Sequence, residues 1–237
     1  MNNPALESEN IRKTFGHFTA LSGVSLTLQR GEFLALFGRN GAGKTTFLKI
    51  AATLMRATHG TLRIGGVDIK DEPEAARRQI GFLSHNTYLY RDLNPLENLK
   101  FFARMYGISD AAPRITELLE RVGLKRRVND PVRSFSRGLN QRLGIARVML
   151  HDPALILLDE PYTGLDANAV EMLNTMLDQA INRGKTIVLT THDIEQGLRA
   201  ATRAVIVDRG KVVFDGGPRT SQIRDAYAEY IRVGVSG

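Results

Sequence analysis

The sequence predicts an α/β fold built on a mostly parallel sheet, and three observations carry that reading. Short apolar segments recur along the chain with helical patterns between most of them, the order that packs helices on the faces of a parallel sheet. One segment, Phe33-Leu34-Ala35-Leu36-Phe37, is apolar without interruption, as suits a strand covered on both faces. It runs straight into a glycine-rich turn, Gly38 to Gly43, and a helical pattern follows.

Taken in order, Val24, Leu26 and Leu28 alternate with polar residues and predict a half-buried strand before that apolar run. After the turn, Phe47, Leu48, Ala51 and Leu54 fall on one helical face. Further strands are expected at Thr61–Ile64, Ile80–Leu83, Leu155–Leu158, Thr186–Leu189, Ala204–Val207 and Val212–Phe214. From about Pro95 to Leu150 the pattern changes. Leu96–Tyr106, Ile115–Val122 and Leu139–Leu150 are amphipathic helical patterns with no strand among them, which predicts a helical subdomain inserted between two strands. Ser221–Arg232 predicts a closing helix.

At 237 residues, 43% hydrophobic and 24% charged, the chain can bury a sizeable core. Ala154 to Leu158, an uninterrupted apolar stretch in the middle of the chain, is five residues long. A membrane-spanning helix needs about 20. Met1-Asn2-Asn3-Pro4 has neither a basic nor an apolar leader region, so no signal peptide is expected and the chain reads as cytosolic. The absence of cysteine excludes disulfides, thiolate metal sites and cysteine nucleophiles. The net charge of +7 suits nucleic acid, an anionic membrane face, a polyphosphate ligand or none of these. Without tryptophan, and with no basic run interleaved with aromatics, a base-stacking platform is weakly supported and no nucleic-acid partner is expected.

The chemistry lies in three stretches. Gly38-Arg39-Asn40-Gly41-Ala42-Gly43-Lys44-Thr45-Thr46 matches G-x-x-x-x-G-K-[ST] in the context that motif needs, a buried strand before and a helix after. Its glycines let backbone N–H groups converge on phosphate oxygens, Lys44 brings charge to the β- and γ-phosphates, and the Thr45 hydroxyl is placed for Mg²⁺. Leu155-Ile156-Leu157-Leu158-Asp159-Glu160-Pro161 ends an apolar strand in two carboxylates, at the sheet edge where α/β proteins bind ligands. Asp159 is the expected magnesium partner and Glu160 the base for water, unless either merely caps the following turn. Ser136 precedes the Leu139–Leu150 helix. It serves there as a plain N-cap, or it opens a second anion-binding helix start for a nucleotide held mainly by another subunit.

With these motifs in family order, the chain resembles the ATP-binding cassette (ABC) ATPases over roughly Leu6 to Gly217. The resemblance implies a P-loop fold with an N-terminal antiparallel β region and a single domain over residues 5–237. It divides into a RecA-like core (5–94 and 151–220), a helical subdomain (about 95–150) and a C-terminal helix (about 221–233). Gly38–Thr46 resembles Walker A, Leu155–Glu160 Walker B, Phe135–Leu139 the LSGGQ signature, and Thr163-Gly164-Leu165-Asp166 the D-loop. It further implies that His192 senses the γ-phosphate and that Phe15 stacks on adenine, although a core phenylalanine and a structural histidine are the bland readings. The implied reaction is Mg²⁺-dependent ATP hydrolysis by a homodimer on the cytoplasmic face of the membrane, beneath integral membrane subunits.

Two departures stand out. Ser84-His85 replaces the glutamine that usually ends the Ile80–Leu83 strand, so His85 approaches the metal, or faces the partner or solvent. In the signature, Ser136 and Gly138 are kept, while Arg137 and Leu139 replace a glycine and a glutamine. Arg137 either turns toward a nucleotide or stays solvated. Together with Tyr88-Leu89-Tyr90 and Pro161-Tyr162, these features look most like the haem-export subgroup tied to cytochrome c maturation. Drug and polysaccharide exporters share most of them. A soluble ABC ATPase acting on nucleic acid or ribosomes is the competing class.

Overall fold

The computed structural model describes residues 3–84, 86–218 and 221–232. Among these, ten strands form two sheets. β1 (Leu6–Phe15) and β2 (Phe18–Leu28) make a hairpin, and β4 (His59–Ile64) and β5 (Val67–Asp68) extend it in the order β2-β1-β4-β5, antiparallel throughout. The second sheet takes β3 (Phe33–Phe37), β6 (Ile80–Leu83), β7 (Leu155–Asp159), β8 (Thr186–Thr190), β9 (Arg203–Asp208) and β10 (Lys211–Gly216) in the order β10-β9-β3-β8-β7-β6. All its pairings are parallel except β10 with β9.

Every residue of β3, β7 and β8 is buried, because each face of the parallel sheet has its own cover. The two-residue period divides β7 between them. Leu155 and Leu157 join a core with Phe47, Leu48 and the antiparallel sheet's Leu21, Leu26 and Leu62. Ile156 and Leu158 face a second core with Leu99, Leu118, Leu143 and Leu173 from the helices. Each such leucine contributes about 2 kcal/mol by leaving water.

The helices are α1 (Lys44–Ala51), α2 (Pro73–Gln79), α3 (Pro95–Met105), α4 (Ala112–Arg121), α5 (Arg137–Met149), α6 (Ala167–Asn182), α7 (Ile194–Leu198) and α8 (Ser221–Tyr227), the last continued by a π-helical turn to Arg232. α3 begins at a capping box. Asn94 Oδ1 accepts from the Glu97 N–H at 2.9 Å, and Glu97 Oε2 accepts from the Asn94 N–H at 2.9 Å. α3, α4 and α5 lie between β6 and β7 in sequence.

The structure corrects the sequence expectation at Leu54. α1 stops at Ala51, Thr53 takes a left-handed φ of 60°, and Leu54 emerges 53% exposed instead of continuing the buried face. β1, β5 and α2 were not individually legible. In β1 a register shift around Asn10, at φ 49°, separates Ser8 from Ile11, so the buried residues break a two-residue period.

Candidate active site

Three loops converge at the C-terminal ends of β3, β7 and β8. The first needs its glycines. A Cβ on Gly38 would strike the Val207 carbonyl, and Gly43, at φ 108°, would collide with the Ala20 carbonyl at 2.6 Å. Gly43 sits at the N-cap of α1, and no side chain caps that start, so the helix's first N–H groups are left for a ligand. Lys44 is buried and donates to the Gly38 carbonyl at 2.6 Å and the Arg39 carbonyl at 3.2 Å. Burial pushes its ammonium below the ordinary lysine range, against the opposing pull of Glu160 and Asp159.

At the end of β7, Asp159 is buried and its Oδ1 accepts two hydroxyls, Thr45 Oγ1 at 3.0 Å and Thr190 Oγ1 at 2.8 Å. Glu160 follows in a left-handed conformation at φ 51°, strained by about 1–2 kcal/mol for a residue with a Cβ. Its N–H donates to both the carbonyl and the hydroxyl of Thr190, each at 3.1 Å. The Glu160 carboxylate meets the Nδ1 of His192 at 3.0 Å. A carboxylate only accepts, so Nδ1 carries the proton in this contact.

A recess of about 250 Å³ opens in front of these groups, lined by Phe15, Phe18, Ala20, residues 39–46 and Glu160. Phe15 is 46% exposed, which removes its reading as a core residue. Phe18 pairs with it across the Gly16-His17 turn and is more exposed still. Sequence reasoning missed Phe18, although two phenylalanines flanking a tight turn were the available signal. It also missed Thr190, a threonine with no motif of its own.

Other expected residues lie elsewhere. Ser136, Arg137 and Gly138 are not among the recess lining. Ser136 Oγ accepts from the Leu139 N–H at 3.3 Å as the N-cap of α5. Arg137 lays its stem on Gly164, and Gly138 faces the Gly164 carbonyl, so the signature segment packs on the D-loop. Asp166 caps α6 through the Ala169 N–H at 2.8 Å and pairs with Arg142 at 3.1 Å. His85 lies outside the described residues.

The oxygens of Thr45 and Asp159 are hard donors suited to Mg²⁺. Among the described residues no group of three or more acidic or imidazole side chains could enclose a metal. The donor set therefore fits a cation that keeps waters and takes phosphate oxygens, as Mg²⁺ does.

Residues 21–163 match the family described as ABC transporter. The chain is 36% identical over 215 residues to the Nod factor export ATP-binding protein I of Cupriavidus metallidurans, covering 90% of this chain and 71% of that protein. It is 34% identical over 213 residues to the linearmycin resistance ATP-binding protein LnrL of Bacillus subtilis, covering 89% and 68%. A solved ATP-binding subunit of an ABC transporter superposes with TM-score 0.87 at 32% identity, covering 95% of this chain and 94% of that one. A dimeric ATP-binding cassette captured after hydrolysis with ADP and Pi superposes with TM-score 0.83 at 29% identity, covering 91% and 99%.

Fold and site together define a P-loop ATPase of the ABC type. The chain belongs to the ABC transporter family. Among its described residues no helix is long and apolar enough to cross a membrane.

Proposed function

We propose that this chain is the ATP-hydrolysing subunit of an exporter, acting as a homodimer on the cytoplasmic face of the membrane beneath integral membrane subunits. The observation that carries the reading is the junction of Thr45, Asp159 and Thr190, with Lys44 and Glu160 beside it. The N–H groups of residues 38–46 and Lys44 hold the phosphates, with Phe15 at the adenine end. Glu160 takes a proton from the attacking water, and His192 orients the γ-phosphate. Thr45 and Asp159 would hold Mg²⁺, which when bound offsets phosphate charge; His85 remains a proposed neighbour of it. Ser136, Arg137 and Gly138 contact the nucleotide of the partner copy, and Asp166 lines the dimer seam. Catalysis on this reading is positioning and charge stabilisation.

Within the single domain of residues 5–237, the helical subdomain at about 95–150 carries the force. A groove of about 520 Å³, lined among others by Leu54, Arg77, Phe82, Tyr88, Met105 and Arg147, is the surface we assign to the membrane partner. Its exposed Leu54 and Met105 support a protein partner over bulk water.

For cargo, the relatives named for Nod factor export and linearmycin resistance favour the drug or polysaccharide exporter reading over haem export. Neither of them is named for haem or cytochrome c maturation. The test is co-purification of the tagged chain. Recovery with membranes and a permease, with ATPase activity and drug efflux lost on deletion, is expected. Recovery with RNA or ribosomes overturns the transporter reading, and loss of c-type cytochromes on deletion restores haem export.

A further inference from the structure

We propose that Tyr227 is a positioning residue for His192: the C-terminal helix holds the backbone of the loop that carries the imidazole. This rests on the role given to His192 above.

The His192 side chain is 74% exposed and has one described side-chain bond, to Glu160. Packing therefore does little to fix it, and its place depends on its own backbone. That backbone is anchored on either side. Thr190 is paired into β8 between Leu36 and Asp159, and Asp193 caps α7 through the N–H groups of Glu195 and Gln196. Between these anchors the His192 carbonyl accepts the Tyr227 hydroxyl at 2.6 Å, at the short end for such a bond.

Tyr227 can hold that position because its ring is itself held. It is 9% exposed and stands edge-on to Phe37, with centroids 5.8 Å apart at 87°. Buried Ile223 joins the same cluster with Ala35, Ala204 and Ile206. Phe37 is the last residue of β3, immediately before Gly38. On its other contact Phe37 abuts Gly197 of α7 so closely that a Cβ there would collide at 2.5 Å. One aromatic side chain thus touches the strand that leads into the phosphate loop and the carbonyl of the γ-phosphate sensor. A second, exposed contact ties the same helix to α7, Arg224 to Glu195 at 3.4 Å. Being solvated, it contributes little.

Tyr227→Phe removes the hydroxyl and keeps the ring against Phe37. The expected result is a fall in kcat of about fivefold, the scale of one hydrogen bond acting on the reacting geometry, with KM for ATP and fluorescent-nucleotide affinity within twofold of wild type. His192→Ala is measured beside it. Unchanged kcat in Tyr227→Phe, whether or not its thermal midpoint falls, means the tyrosine only packs and overturns the proposal while His192 keeps its role. A fall in kcat matched by an equal loss of nucleotide affinity also overturns it. Full turnover in His192→Ala removes the reading of His192 on which both rest.

Discussion

The Nδ1 of His192 stands 3.0 Å from Oε2 of Glu160, across 32 residues of sequence, because the strands they follow are neighbours. Asp159 and Thr190 are opposed in the parallel register of β7 and β8, so the residues that follow each strand leave the sheet side by side. Glu160 then turns into its left-handed conformation, and its N–H is tied back to Thr190. A carboxylate and an exposed imidazole are thereby brought together without either being packed into the core.

Glu160→Gln keeps the size of the side chain and an oxygen for His192, but an amide does not take a proton from water. ATP binding should persist while hydrolysis falls by at least about a hundredfold. With Mg-ATP the variant should accumulate as a dimer by light scattering. A variant that stays monomeric while the wild type dimerises counts against a site shared between two copies.

Lys44→Ala removes a buried cation whose ammonium spans the Gly38 and Arg39 carbonyls. Both the loop's shape and the charge facing phosphate are lost, so nucleotide affinity or turnover should drop at least about tenfold. ATPase activity near wild type would sink the assignment of residues 38–46 to phosphate.

Thr190→Val tests the hydroxyl that donates to Asp159 and accepts from the Glu160 N–H. The side chain is wholly buried and valine fills the same volume. kcat should fall about tenfold and the Mg²⁺ concentration for half-maximal activity should rise, while metal-free ATP binding holds. Thr190→Ser should recover most of the loss. An unchanged Mg²⁺ titration would show that the hydroxyl does not tune Asp159.

His151 supplies a pH dependence of stability. It stacks on Tyr106 at 3.9 Å, and its Nε2 donates to the Ile80 carbonyl at 3.0 Å. Burial above all, with Arg147 and Lys185 adding to it against the Ile80 bond and Asp152, lowers its pKa from 6.5 to about 4. The unfolded chain therefore takes up this proton near pH 6.5 and the folded chain only near 4. The stability is fully present above pH 6.5 and is lost as pH falls toward 4, on the order of 3 kcal/mol in all. His151→Phe keeps the stack and removes the titration. Its deficit in urea unfolding at pH 8 should shrink toward pH 4, and parallel curves would refute the account.

Asn98 is wholly buried on α3 and ties down the segment before it. Its Oδ1 accepts from the Tyr90 N–H at 2.9 Å, and its Nδ2 reaches the carbonyls of Tyr90, Leu93 and Asn94. Asn98→Ala leaves the Tyr90 N–H without its acceptor, while the three carbonyls keep the backbone N–H groups of Leu93, Val132 and Asn98, and should cost about 2 kcal/mol in chemical denaturation. A loss under 1 kcal/mol would mean water replaces the amide.

Residues 38–46 and 155–160 were legible because a close-packed glycine turn leading into a helix and the two-faced burial of a parallel strand constrain contiguous residues. Apolar runs at β3, β6, β7 and β8 carry their own signal for the same reason. β1 did not, since its bulge at Asn10 breaks the period on which such reading depends. Leu54 looked like helix face because the spacing continued after the hydrogen bonds of α1 had stopped. The roles of Thr190, Phe18 and Tyr227 arise between segments far apart in sequence. Thr190 needs the β7–β8 register, Phe18 the hairpin turn, and Tyr227 the docking of the last described helix on Phe37. Local periodicity and motif spacing thus determined which elements form and where the glycine-rich turn and the strand-end carboxylates fall. Only tertiary structure decided which hydroxyls and carbonyls hold the acidic and imidazole groups in place, because a hydrogen bond between distant segments leaves no periodic trace in either.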